Sequence, residues 1–330
     1  MVIFTLKKSP QFKTKKVTDV IKFICSGKIP GLNWLRYVCH ANPNRLLALA
    51  EKSRTENPDQ LQVLAREFSA ILHDVRVGGV WKRTSPGRLP LTVNFLVDHL
   101  QNSEGKGVVL DLGASDGSTS ADLCKALKLG CKRNFQVHMA DLYLWLKIWK
   151  GSFLTEYRST SNDPVMVRLG WFGMRLPTSE HWWDAPGNFL AKAYLSLKRL
   201  RNAMVETGQI PMINPLAMAE PLITPFELNA LEMNADMVDQ YDAVRASNIL
   251  NLDYFSSQQL HLIIGYLHKY LRQEGVLVVS RNDGGKVNED ENGAIWLRTE
   301  IGFSRQENFG RGSEICEIVD DFKVDVPCVV

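Results

Sequence analysis

The stretch from Gly107 to Asp141 limits what this chain can fold into more than any other part of it. GVVLDLG is a short apolar run with β-branched residues, bounded by Gly107 and Gly113. That is the pattern of a parallel strand buried on both faces. STSADLCKALKLG follows, with Ser and Thr at its start and Gly130 at its end, and reads as a helix. NFQVHMAD reads as a second strand, ending on Asp141. A strand, a glycine turn, a helix and a strand closing on an acid form one βαβ unit.

The same alternation resumes further on. LEMNADM reads as a strand ending near Asp236, and YDAVRASNIL as another that runs into a loop. SSQQLHLIIGYLHKYLRQEG reads as a helix with a Ser cap in front and a Gly behind, and GVLVVSRND as the next strand. GAIWLRTE and SEICEIVD read as two further strands joined by FSRQENFGRG. The expected fold class is α/β: a Rossmann-like, seven-stranded, mostly parallel sheet with helices on both faces, over residues 104–330. Residues 1–103 read as an all-helical accessory domain, from VTDVIKFICSG, NPNRLLALAEKSR, NPDQLQVLAREFSAILHDVR and LTVNFLVDHLQ. VGGVWKRTSPGRLPLT reads as a loop, and no hairpin is expected there.

Between the second and third strands lies an insert at about 142–208. Eleven of the chain's 30 Phe, Trp and Tyr residues fall between 142 and 200. FLAKAYLSLKRLRNAMVETG closes the insert and reads as an amphipathic helix. Large flat side chains shape apolar cavities, so the insert is expected either to cover a substrate pocket or to fill a core.

Composition narrows the functional classes. At 45% hydrophobic and 23% charged residues the 330-residue chain is neither disordered nor collagen-like. No stretch approaches the ~18 apolar residues of a membrane span, and the start is not a secretory signal. The six cysteines form no CxxC pair and no zinc-finger spacing, so no metal site is expected and free thiols in the cytoplasm are. Residues 1–100 carry 16 Lys and Arg against 7 Asp and Glu, whereas the remainder is acidic. That basic front is either a solvated helical surface or a face for an anionic partner such as nucleic acid.

The turn itself is Asp111-Leu112-Gly113-Ala114-Ser115-Asp116-Gly117. Gly113 and Gly117 allow a sharp bend and a close ligand approach, at the carboxyl edge where α/β sheets bind ligands. The spacing is not the G-x-G-x-x-G of a dinucleotide site, and no Gly-Lys-Ser/Thr of a P-loop follows. An acid at Asp111 repels pyrophosphate and suits a ligand with a cationic part.

VVLDLGASDGSTS resembles the first motif of class I S-adenosylmethionine-dependent methyltransferases. The resemblance covers roughly 105–330. It implies that Asp111 lies near the methionine end of S-adenosylmethionine and that Gly113, Ala114, Ser115 and Gly117 let the cofactor pass over the backbone. It further implies that Asp141, with Leu142 beside it, binds the ribose, and that Asp236 and Met237 meet the adenine. Ser115 stands where the family pattern often has glycine.

YDAVRASNILNLDYF is also similar to a segment of chemotaxis-receptor methyltransferases, which carry a helical domain in front. Here Arg245 and Asn248 are separated rather than adjacent, and no small β-subdomain is evident. The expected reaction is methyl transfer to a small-molecule or carboxylate acceptor, with Arg245, Asn248 and Tyr254 as a candidate clamp. His181, beside Trp182 and Trp183, is the histidine to test as a base. His261 and His268 read as helix-surface residues, and His138 as a core residue in a strand. The alternatives are a binding protein that holds the cofactor without catalysis, or a nucleic-acid methyltransferase using the basic front.

Overall fold

The structure is a computed structural model describing residues 38–39, 43–54, 56–73, 76–77, 80–82, 84, 86–102, 106–170, 172–176, 185–282 and 291–324. The chain divides into two compact units. One comprises residues 48–70, 83–144 and 211–330, and the other residues 1–47, 71–82 and 145–210.

The larger unit holds seven strands: β1 (Gly107–Leu112), β2 (Phe135–Asp141), β3 (Ile223–Glu227), β4 (Tyr241–Ser247), β5 (Leu271–Asn282), β6 (Glu291–Arg298) and β7 (Phe303–Phe309). Their spatial order is 3-2-1-4-5-6-7. The pairs from β3 through β5 are all parallel. β6 runs antiparallel to β5, and β7 antiparallel to β6, so only β6 opposes the common direction. The chain builds outward from β1 on one side, then restarts at β4 on the other. The switch point therefore lies between β1 and β4, where ligands of open α/β sheets sit.

Side-chain alternation along β1 shows that both faces are covered. Leu110 and Leu112 join one core cluster with Leu260, Ile263, Ile264 and Leu267 of α2 (Ser257–Tyr270). Those four positions recur at helical spacing. Each such aliphatic side chain contributes about 1.5–3 kcal/mol when removed from water. Asp111, between Leu110 and Leu112, meets Ser120 of α1 (Ser118–Gly130) instead. The two helices therefore lie on opposite faces. α2 starts on a capping box, with Ser256 and Gln259 satisfying each other's backbone amides.

The smaller unit holds a sheet in the order 38–39, 172–175, 164–169, 155–158, 145–150, 205–211, antiparallel from 38–39 through 145–150. Left-handed Asn162 and Gly170 turn its meander. Ala191 and Tyr194 of the helix Ala185–Ser196 pack with Val167 and Leu176. Glu156 is fully buried. It accepts hydrogen bonds from Arg158, from Tyr194, and from Arg201 at 2.8 Å. The Arg158 guanidinium lies 4.0 Å over the Trp149 ring.

Several expectations are corrected. The third strand is Ile223–Glu227, and LEMNADM is a turn containing a short 3-10 segment, Ala235–Met237. FSRQENF is a strand, whereas CEIVD is a helix, because Ile315 and Val319 bury at helical spacing. The expected long helix at 189–208 breaks into two helices and a strand. The insert is a small β-subdomain, which the sequence did not announce. His268 is buried, not on the surface, and shares a hydrogen bond with Thr299 O at 2.9 Å.

Within 1–103, helices occupy Pro43–Ser53, Pro58–Leu72 and Pro90–Leu100. Val38–Cys39, however, belongs to the antiparallel sheet, and Arg76–Val77 pairs with Val80–Trp81 as a hairpin. The helix expected over 17–27 lies outside the described residues. The compact units do not divide at residue 103.

Candidate functional site

β1 delivers the chain into the turn 113–117, which α1 continues. Gly113, Ser115 and Gly117 have φ values of 73°, 60° and 77°, a conformation natural to glycine and strained for serine. Gly113 N and Ala114 N both donate to Ala140 O, at 2.8 and 3.1 Å, which ties the turn to the tip of β2. A Cβ on Gly113 would lie 2.6 Å from Ile249 Cβ. Glycine is thus required there by the close packing of the turn on the loop after β4.

Asp141 ends β2 and accepts from Ser115 N at 2.7 Å and from Tyr143 N at 3.2 Å. In the parallel register it stands beside Glu227, the last residue of β3. Two carboxylates therefore close neighbouring strands. Glu227 accepts from Leu144 N at 2.8 Å. Leu142, next to Asp141, is exposed.

Asp111 and Arg245 are register partners on β1 and β4. Arg245 Nε donates to Asp111 Oδ1 at 2.8 Å and Nη2 to Oδ2 at 2.5 Å. Ser120 Oγ adds a third bond to Oδ2 at 2.5 Å. The pair is bidentate and charge-assisted, with Asp111 2% and Arg245 0% exposed. Both expectations for these residues change. Asp111 is buried and already accepts three hydrogen bonds from protein donors, and Arg245 is its buried partner rather than an accessible clamp. Arg245 Nη1 and Ser118 Oγ, also buried, have no hydrogen-bond partner among the described residues.

Asn248 sits just past the tip of β4 with φ 61°. Its amide donates to Ser280 O at 2.7 Å, and its side-chain oxygen accepts from Asn282 N at 2.8 Å. It therefore fixes the bend after β4. Tyr254 is 48% exposed a turn further on. Asp236 is exposed on its 3-10 segment, well beyond the end of β3, and Met237 is buried in the core cluster. His181 lies outside the described residues. The structure brings together 113–117 and Asp141, and does not bring Asp236 to the strand tips.

Sequence reasoning missed Asp116. It is 1% exposed and accepts from Ser69 Oγ at 2.6 Å and from Ser118 N at 2.9 Å. Asn214 Nδ2 donates to Ser69 Oγ at 2.9 Å and to Ala65 O at 3.2 Å. The signal was present in the Asp two residues before a Ser-rich helix start, a local capping arrangement. On α1, burial pushes the Cys124 thiol up to about 11, so it is not a thiolate nucleophile at neutral pH. Among the described residues no cluster of His, Cys, Asp and Glu is arranged to hold a metal ion. No helix among them is long and apolar enough to cross a membrane.

No family model matches the chain, and no curated protein matches its sequence. Solved structures do match. The citrinin polyketide synthase CMeT domain is 16% identical, over 59% of this chain and 34% of that one, with a TM-score of 0.29. An O-methyltransferase family protein from Burkholderia thailandensis is 12% identical over 57% and 37%, with a TM-score of 0.26. Phosphoethanolamine N-methyltransferase 2 of Haemonchus contortus, bound to S-adenosyl-L-methionine, is 12% identical over 60% and 29%, with a TM-score of 0.29. The matches span 29–37% of the length of these three structures.

Proposed function

We propose that the protein is an S-adenosylmethionine-dependent methyltransferase acting on a small-molecule or carboxylate acceptor. The observation that carries this is the juxtaposition at the strand tips: a left-handed turn at 113–117, beside the switch point, hydrogen-bonded to the acid that closes β2.

The fit to the cofactor is good at one end. Asp141 accepts from Ser115 N and Tyr143 N, which holds its carboxylate at the tip of β2 against the turn, the position proposed for the ribose. Glu227, rather than Asp236, is the acid at the tip of the third strand. At the other end Asp111 does not fit a direct contact with the methionine ammonium, because Arg245 and Ser120 occupy its oxygens. Its role in this proposal is to hold β1 and β4 in register beneath the turn.

When bound, the cofactor supplies an electrophilic methyl group, so positioning by the protein contributes much of the rate. Gly113, Ala114, Ser115 and Gly117 would carry the nucleoside across the backbone. Asp141 and Leu142 would fix the ribose. Asn248, locked to β5, and Tyr254 would line the path to the acceptor.

Isothermal titration with S-adenosylhomocysteine tests the proposal. Binding by the full chain, weakened roughly ten- to a hundredfold in Asp141→Ala, is expected for a lost charge-assisted bond. Absence of binding would refute it. Binding without methyl release from labelled cofactor over a metabolite panel would favour a non-catalytic cofactor-binding protein. Steeply salt-dependent RNA binding would favour a nucleic-acid substrate.

A further inference from the structure

At the carboxyl ends of β4 and β5, beside Leu250 and Ser280, the larger unit has a pocket of about 410 Å³. Its floor is Leu250, Val279 and Ser280, all nearly fully buried. The Ser280 hydroxyl is 2.8 Å from that of Ser247 at the tip of β4. Its rim is charged, with Arg281 leaving β5, and Arg311 and Glu314 on the segment after β7. Gly310 and Gly312, at φ 58° and 78°, flank Arg311.

The rim carries charges of both signs, and Arg281 and Glu314 are paired. Arg281 Nη1 lies 3.2 Å from Glu314 Oε1, and Nη2 lies 3.3 Å from Asp253 Oδ2. Arg281 and Glu314 are each more than a third exposed, so the pair is screened and opens readily. A guanidinium in such a pair receives a carboxylate, and a carboxylate receives an ammonium. A simple anion would satisfy Arg281 but leave Glu314 facing a like charge. A simple cation would do the converse at Arg281.

We propose that this pocket binds a small zwitterion, an amine and a carboxylate on one short skeleton. Ser280 and the apolar floor would take its middle, with Arg281 and Glu314 at its two charged ends.

The test is isothermal titration of the full chain with β-alanine, acetate and methylammonium, and separately with S-adenosylhomocysteine. β-Alanine is expected to bind more tightly than either single-charge probe. Arg281→Met and Glu314→Gln are each expected to weaken it roughly tenfold or more. Both side chains are at the rim, and unchanged thermal unfolding would show that the variants fold. Equal binding of acetate or methylammonium, β-alanine binding indifferent to both substitutions, or no binding of β-alanine at millimolar concentration would each overturn the proposal. S-adenosylhomocysteine binding that survives such a failure leaves the cofactor reading standing. Its loss alongside intact β-alanine binding refutes that reading and leaves the pocket assignment.

Discussion

At the scale of single residues, the Asp111–Arg245 pair dominates the centre of the larger unit. Both charges are buried and each is the other's main partner. Such a pair adds little net stability over an apolar substitute, but removing one partner strands the other, at about 3–5 kcal/mol. Asp111→Asn and Arg245→Met are each expected to lower stability by about that amount in urea denaturation, while the double variant recovers part of the loss. Additive losses would show that the two do not act as a pair. None of this was legible in the sequence. The two residues are 134 positions apart and meet through the strand register, which no local motif encodes. Asp141 was legible, because an acid closing an apolar strand is a local pattern.

At the scale of elements, the turn at 113 is over-determined. Its backbone is left-handed, and Ile249 stands where a side chain would go. Gly113→Ala is expected to lose about 1–3 kcal/mol, seen as a lower thermal midpoint together with weaker S-adenosylhomocysteine binding. The insert offers a second element-level prediction. Burial opposes ionisation of Glu156, but bonds from Arg201, Tyr194 and Arg158 outweigh it and hold its carboxyl below the ordinary 4.5. A depressed carboxylate stabilises the fold above its unfolded value, and that contribution is lost as pH falls through the folded value. Unfolding followed by near-ultraviolet circular dichroism is therefore expected to show stability falling below about pH 4.5. Glu156→Gln is expected to flatten that slope and to be less stable at pH 7.

The elements also show why sequence patterns worked unevenly. GVVLDL is apolar, bounded and buried on both faces, and NFQVHMAD alternates with Phe135, Val137 and Met139 buried, so local pattern marks both. Ile223–Glu227 carries a Thr and a Pro in five residues, a composition that does not mark a strand. Phe303–Phe309 is an edge strand, largely exposed and therefore polar. The insert stands out by its aromatics, but its strands were not read from them, although Trp145–Lys150 alternates buried and part-exposed positions.

At the scale of the whole molecule, the region before residue 104 is not an appendage to the sheet. Glu291, at the start of β6, is buried and accepts from Leu91 N at 2.8 Å, from Thr92 N at 3.1 Å and from the Thr92 hydroxyl. It caps the helix Pro90–Leu100 from the other end of the sequence. Ser69 likewise completes the hydrogen bonding of Asp116. A chain beginning at residue 104 would lose those donors together with the helices that carry them. Hydrogen exchange on that fragment is expected to show weak protection across β1 and α1. Full native protection would mean that these contacts do not support the sheet.

On the proposed methyl-transfer reading, the internal pairing of Asp111 bears on selectivity between the charged and discharged forms of the nucleoside. An unshared carboxylate beside the sulfur would prefer a sulfonium to a neutral thioether. Here that oxyanion is neutralised internally, so the two forms would compete on nearly equal terms. Turnover in a closed vessel would then slow as the demethylated by-product accumulates, and an enzyme that hydrolyses it would restore the rate.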